Sequence, residues 1–125
     1  MQPILRLSLA GCLLLAAACG GPRNAPVDAA IARDTLRTAL DSWKKGDPAD
    51  ALQKASPAIY VIDPDWQDGA RLLDFEVVGS GDEKDAHLFS TVRLRLRLSS
   101  GQEVRRDAVF VVSTAPNRTV TRKLF

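Results

Sequence analysis

Nitrogen and sulfur chemistry has little to draw on in this 125-residue chain: one histidine, His87, and two cysteines, Cys12 and Cys19. A catalytic histidine needs a nucleophile within hydrogen-bond reach and a third group to orient it. His87 instead follows the charged stretch Asp82-Glu83-Lys84-Asp85 and reads as a surface or strand-edge side chain. A single histidine also cannot build a histidine-rich metal centre. Asp63, Asp65 and Asp68, with Gly69, approach a calcium loop, which runs D-x-D-x-D-G and closes on a glutamate at its twelfth place. Here the third carboxylate comes one step late, Pro64 holds the second place and Asp74 the twelfth. Asp and Gly are also the residues that turns favour, so the segment reads as a turn. Asp82, Glu83 and Asp85 read as a solvated loop. The expectation is no catalytic residue, no metal and no cofactor: a protein that is not an enzyme.

Arginine is the residue type that rises above this background. Residues 28–85 carry seven Lys/Arg against thirteen Asp/Glu, whereas residues 86–125 carry eight against two. Arg93, Arg95, Arg97 and Arg105 fall on neighbouring strands of the basic half, with Arg106 beside them. The guanidinium fork suits carboxylates and phosphates. These residues therefore form a candidate interaction surface for a partner protein, lipid phosphates or an acidic envelope polymer. The competing expectation is a solvated face on which the arginines pair with Glu103 and Asp107, in ion pairs worth little at a surface. Nucleic acid is excluded as a partner. From Cys19 onward sixteen Lys/Arg face fifteen Asp/Glu, and the wet strand positions carry no interleaved aromatics.

The sulfur chemistry that the chain does offer lies near its start. Leu7 to Ala18 is free of charge. It is too short to cross a bilayer, which takes about 20 residues, but suits the apolar core of a secretory signal, about 7–15 residues long. The run Leu15-Ala16-Ala17-Ala18-Cys19 resembles the lipobox of bacterial lipoproteins. That resemblance implies a diacylglyceryl group on the Cys19 sulfur, cleavage just before it, and acyl chains such as palmitate on the new terminus. Ala16 departs from the pattern, in which Leu is commonest. A rival, Leu9-Ala10-Gly11-Cys12, fits the short motif better, but it would leave eleven residues of signal and expose Leu13-Leu14-Leu15; Cys19 is favoured. The expected layout is a lipoprotein signal peptide over 1–18, a lipidated cysteine and flexible tether over 19–27, and one domain over 28–125. The expected location is the cell envelope, with the membrane as a partner through the lipid anchor. Gly20, rather than Asp, implies outer-membrane sorting by the same resemblance. With Cys19 blocked and Cys12 removed, no disulfide remains, so the domain must be held by its core.

The elements that position these side chains follow from periodicity. Asp28 caps a helix over 28–45 whose stripe is Ile31, Ala32, Thr35, Leu36, Ala39, Leu40 and Trp43. Lys44 and Lys45 favour its C-terminal dipole and Gly46 stops it. A short second helix is expected over 48–55, from Pro48 to Ala55. Ala58 to Ile62 is a strand or an extended lead-in, and Asp63 to Gly69 a turn or a single helical turn. A strand follows over 71–79, with Leu73, Phe75 and Val77 inward, and then a polar loop over 79–85. His87 to Ser99 alternates Val92, Leu94, Leu96 and Leu98 with Arg93, Arg95 and Arg97, so one face is buried and the other wet. Parity selects a three-residue hairpin loop, Ser99-Ser100-Gly101, with Gly101 left-handed. It sets Arg97 opposite Glu103, Arg93 opposite Asp107 and Leu96 opposite Val104. Strands over 103–113 and 119–125 complete the series, the last at an edge.

This order is an α+β fold: one long N-terminal helix packed on a curved antiparallel sheet of about four strands. It resembles the cystatin-like architecture over residues 28–125, by element order alone. The Q-x-V-x-G loop of inhibitory cystatins is missing, so the resemblance lends nothing to protease inhibition. Two functions remain in view. The first is a membrane-anchored, non-catalytic interaction or scaffolding module. The alternative is a small-ligand-binding or degraded-enzyme domain of NTF2-like type, with a pocket between helix and sheet. Trp43 is expected in the core and Trp66 in the core or as a lid. Register parity places Arg106 on the inward side, where it needs a carboxylate or anion if buried and snorkels if it lies at an edge.

Overall fold

The structure, a computed structural model, describes residues 26–124. The expected signal segment and Cys19 lie outside the described residues. Helix α1 spans Ala29–Lys45. The Asp28 carboxylate accepts the Ile31 amide at 3.1 Å and caps it. Its other end is a Schellman motif: Gly46, at φ +96°, donates to the Trp43 carbonyl, and Asp47 donates to that of Ser42. Ala32, Leu36, Ala39, Leu40 and Trp43 form the buried stripe, as their spacing predicts. Val27, assigned by sequence to the tether, is buried in the core as well.

The expected second helix is only a 3-10 turn over Ala51–Lys54. Its amides bond three residues back, as Gln53 to Asp50 and Ala55 to Leu52. Eight residues with one large apolar side chain cannot sustain α-helical nucleation alone. Strand β1 (Ile59–Ile62) resolves the ambiguous apolar run, and α2 (Pro64–Gln67) is the expected single turn. Then come β2 (Arg71–Lys84), β3 (His87–Arg97), β4 (Glu103–Ser113) and β5 (Arg118–Arg122).

The class is α+β, with one main helix and a five-stranded mixed sheet in the order β1-β5-β4-β3-β2. This corrects the expectation of a four-stranded antiparallel, cystatin-like sheet. Strand β1 pairs in parallel with β5, so β5 is internal and β1 takes the edge. After β1 the chain crosses to the far edge and returns strand by strand until β5 meets β1.

The β3–β4 hairpin has the expected register: Arg97 lies opposite Glu103, Leu96 opposite Val104 and Arg93 opposite Asp107. Its loop is closed by bonds between Leu98 and Gln102 and from Gly101 to Leu98, with Gly101 at φ +93°. Strand β2 departs from expectation twice. A bulge at Leu73 makes Leu72 the buried residue and leaves Leu73 half-buried, because one extra residue switches the faces of a strand. The polar loop over 79–85 is mostly strand, interrupted at Gly79–Gly81 and turned at Asp85-Ala86.

Helix α1 packs across the inner face of the sheet, touching β1, β2, β4 and β5. Leu88, Val92, Leu94, Leu96, Ala108, Phe110, Val112 and Val120 rise from that face into the core. The outer face carries no second layer of described residues. Tyr60 (42% exposed) and Ile62 (57%) lie on the outward side of β1.

Candidate interaction face

The bare face places the arginines. Strict alternation buries Val92, Leu94 and Leu96 on the inner face, which turns Arg93, Arg95 and Arg97 outward. The hairpin register brings Arg105 directly opposite Arg95. All four lie toward the 98–102 hairpin. The opposite end of the sheet receives the chain, where the Asp28 amide donates to the hydroxyl of Thr114 in the β4–β5 turn.

Three of the four are partly neutralised. Arg97 and Arg95 both reach Glu103, at 3.2 Å each, and Arg93 reaches Glu76 at 3.5 Å. The expected Arg93–Asp107 ion pair does not form, although the two are opposite in register. Glu76, on the neighbouring β2, takes Arg93 instead. The Arg97 hydrogen bond, joined by the charge of Arg95, holds the Glu103 carboxyl below its usual 4.5. These pairs are exposed and contribute little to stability. Arg105 makes no ion pair among the described residues. With Asp74, Glu76, Arg93, Arg95 and Asp107 it borders a shallow depression of about 280 Å³ on the outer face. Such a surface can take carboxylates or phosphates edge-on without burying a charge.

Arg106, on the inward side of the internal strand β4 opposite Leu94, is not buried in the core. It is about half exposed and reaches the Asp65 carboxylate at 3.2 Å. It also borders an open hollow of about 350 Å³ with Asp65, Leu98 and Ser99.

Two of the three aspartates of the calcium-like stretch, Asp63 and Asp65, are engaged elsewhere. Asp63 is fully buried; it caps α2 by accepting the Trp66 amide and takes two hydrogen bonds from Arg122. Asp65 accepts Arg122 at 2.9 Å and also Arg106. Asp68 ends α2, exposed. The oxygens of Asp63 and Asp65 satisfy guanidinium groups, and no cluster of three metal-ligating side chains occurs among the described residues. Burial pushes the Asp63 carboxyl above its usual 3.8, against the pull of the Arg122 cation. Sequence reasoning missed this buried pair. The available signal was parity, since Arg122 continues the inward series of Val120 and faces Phe110.

His87 opens β3, half-buried, with its ring edge-on to Phe89 at 6.4 Å. Trp43 and Trp66 are both in the core, 2% and 6% exposed, and stack 5.2 Å apart at 6°. Each indole N–H is satisfied across the stack: Trp43 donates to the Ala70 carbonyl and Trp66 to that of Asp47, both at 2.8 Å. Beside them opens a cleft of about 500 Å³, bordered by Asp47, Asp50, Gln53, Gln67 and Arg71. No helix among the described residues is long and apolar enough to cross a membrane. Comparison with known proteins finds no matching family model, no matching curated protein and no matching solved structure.

Proposed function

We propose that this protein is a lipid-anchored lipoprotein of the bacterial envelope, and that its domain is a non-catalytic interaction module. The observation that carries this reading is the asymmetry of the sheet. One face is closed by α1, while the other is bare and presents Arg93, Arg95, Arg97 and Arg105 together. The partner is anionic, an acidic protein or envelope polymer, because the exposed donors are guanidinium forks.

The anchor is Cys19, through the lipobox-like run before it. More than one acyl chain is needed for stable membrane attachment, and a lipoprotein terminus supplies them. An anchored domain enters at the Asp28–Thr114 end and holds its arginines at the other end of β3. Arg97 lies ten residues along that strand from His87, about 33 Å at roughly 3.3 Å per residue. Arg97 then lies toward the end of the sheet away from where the chain enters.

Two measurements test the parts separately. Cys19→Ser moves the protein from the membrane to the soluble fraction; unchanged fractionation contradicts the anchor. Chemical crosslinking in intact cells, followed by mass spectrometry, captures a partner with the native protein. The Arg93, Arg95 and Arg97→Gln variant loses it. Absence of any specific adduct contradicts the interaction face.

A further inference from the structure

A second site lies on the opposite side of the sheet, between α1, β2 and β3. Here β2 carries an irregularity that the sequence spells Gly79-Ser80-Gly81. Val78 pairs with Thr91 and Asp82 with Phe89, so three residues of β2 stand against one residue of β3, Ser90. Glycine is required at this place. Gly79 and Gly81 have φ +71° and +86°, and a Cβ on Gly81 would meet Leu88 and the Phe89 carbonyl at 3.0 Å. Bulges of this kind re-aim side chains and gather next to functional sites.

The bulge leaves a cavity of about 280 Å³ bordered by Arg33, Asp34, Arg37, Ser80 and Ser90. Its wall leaves polar donors unused. Ser90 is 3% exposed, yet its hydroxyl has no hydrogen-bond partner among the described residues; a buried polar group left so is costly. Arg33 and Arg37 are one helical turn apart on α1 and border the same cavity, and neither makes an ion pair among the described residues. Arg33 is also fixed in place, its Nε donating to the Ser80 carbonyl at 2.9 Å, which leaves its two terminal nitrogens free. Arg37 lies over the Phe75 ring at 5.9 Å.

We infer that this cavity binds one phosphate-type oxyanion, held by the Arg33 and Arg37 guanidinium groups and by the Ser90 hydroxyl. The inference goes beyond the arginine face, with which it shares no residue. Two guanidinium groups supply charge-assisted donors, and the serine supplies a neutral one. Asp34 also borders the cavity; its carboxylate accepts the P–OH of a singly protonated phosphate. Arg33 is four residues into α1 from Ala29, about 6 Å along the axis at ~1.5 Å per residue. The site is therefore near the end where the chain enters, and the phosphate comes from solution or from a lipid headgroup.

The test is calorimetric titration of the full chain, purified in detergent at moderate chloride, with two probes: inorganic phosphate and monomeric dihexanoyl phosphatidic acid. Both the native protein and an Arg33→Gln/Arg37→Gln variant are titrated. Saturable binding is expected, weakened at least about tenfold in the variant by loss of two charge-assisted bonds. Ser90→Ala is the second variant, and it keeps the fold because it removes an unpartnered group. It weakens phosphate binding while leaving the melting temperature of the phosphate-free protein equal or higher. Tighter binding of phosphatidic acid assigns the phosphate to a lipid, and tighter binding of inorganic phosphate assigns it to solution. No saturable binding of either probe, or binding unchanged in both variants, overturns the inference. Either of those results leaves the Arg93–Arg105 face untouched.

Discussion

Arg95 and Arg105 lie directly opposite each other across β3 and β4, on the side of the sheet that no helix covers. Like charges in that position destabilise a sheet. Glu103 lies diagonal to the pair and bonds Arg95 but not Arg105 among the described residues. The register therefore gives Arg105 no oppositely charged partner directly across on β3. Arg105→Glu should therefore stabilise the domain, by about 0.2–1 kcal/mol, the span for an opposite-charge cross-strand pair. Urea unfolding at neutral pH measures it. A loss of that size would mean that Arg105 already has a stabilising role in the fold.

Exchange of Arg93, Arg95 and Arg97 for Gln should leave stability within about 0.5 kcal/mol of the native value, as for surface substitutions away from special features. Their ion pairs are exposed and weak. A large fall in melting temperature would show that these side chains support the sheet.

The tryptophan stack ties α1 to α2 and the start of β2, because each indole also bonds backbone beyond the other's helix. Trp43→Ala removes a buried ring and leaves the Ala70 carbonyl without its donor. The expected cost is about 3–5 kcal/mol, a large share of the roughly 5–15 kcal/mol that holds a domain of this kind. Thermal unfolding reads it directly, and a cost below about 1 kcal/mol would contradict this role for the stack.

Arg122 is nine-tenths buried beside the fully buried Asp63. Arg122→Met strands the Asp63 carboxylate and should cost about 3 kcal/mol or more at neutral pH. The sign of the pH dependence follows from the direction of the Asp63 shift. Burial already raises its pKa above 3.8, and loss of Arg122 raises it further. A group raised in the folded state contributes stability that is complete below its unfolded value and is lost as pH rises through the folded one. The variant should therefore recover part of its deficit as pH falls from neutral toward 3.8. A deficit that stays constant or grows on acidification would mean that Asp63 is ionised equally well without its arginine.

The β3–β4 hairpin was legible because seven residues alternate without a break and parity then excludes a two-residue loop. Strand β2 was less so. Leu72 and Leu73 are both apolar, so either phase of the strand looks buried, and only the bulge decides between them. The pairing of β1 with β5 left no local trace, since a four-residue apolar run fits a parallel or antiparallel neighbour equally. The arginine face came directly from alternation. The Asp63–Arg122 pair and the Arg33–Arg37–Ser90 cavity did not, because each joins residues from distant elements.

The most direct test of the interaction face is site-specific photocrosslinking in intact cells. One probe replaces Thr91, exposed on the outer face of β3 beside Arg93; the other replaces Asp41, exposed on α1 at the opposite surface. A discrete adduct from position 91 that disappears when Arg93, Arg95 and Arg97 are changed to Gln is the predicted result. Adducts from position 41 alone, or an adduct at 91 indifferent to the arginines, would contradict it.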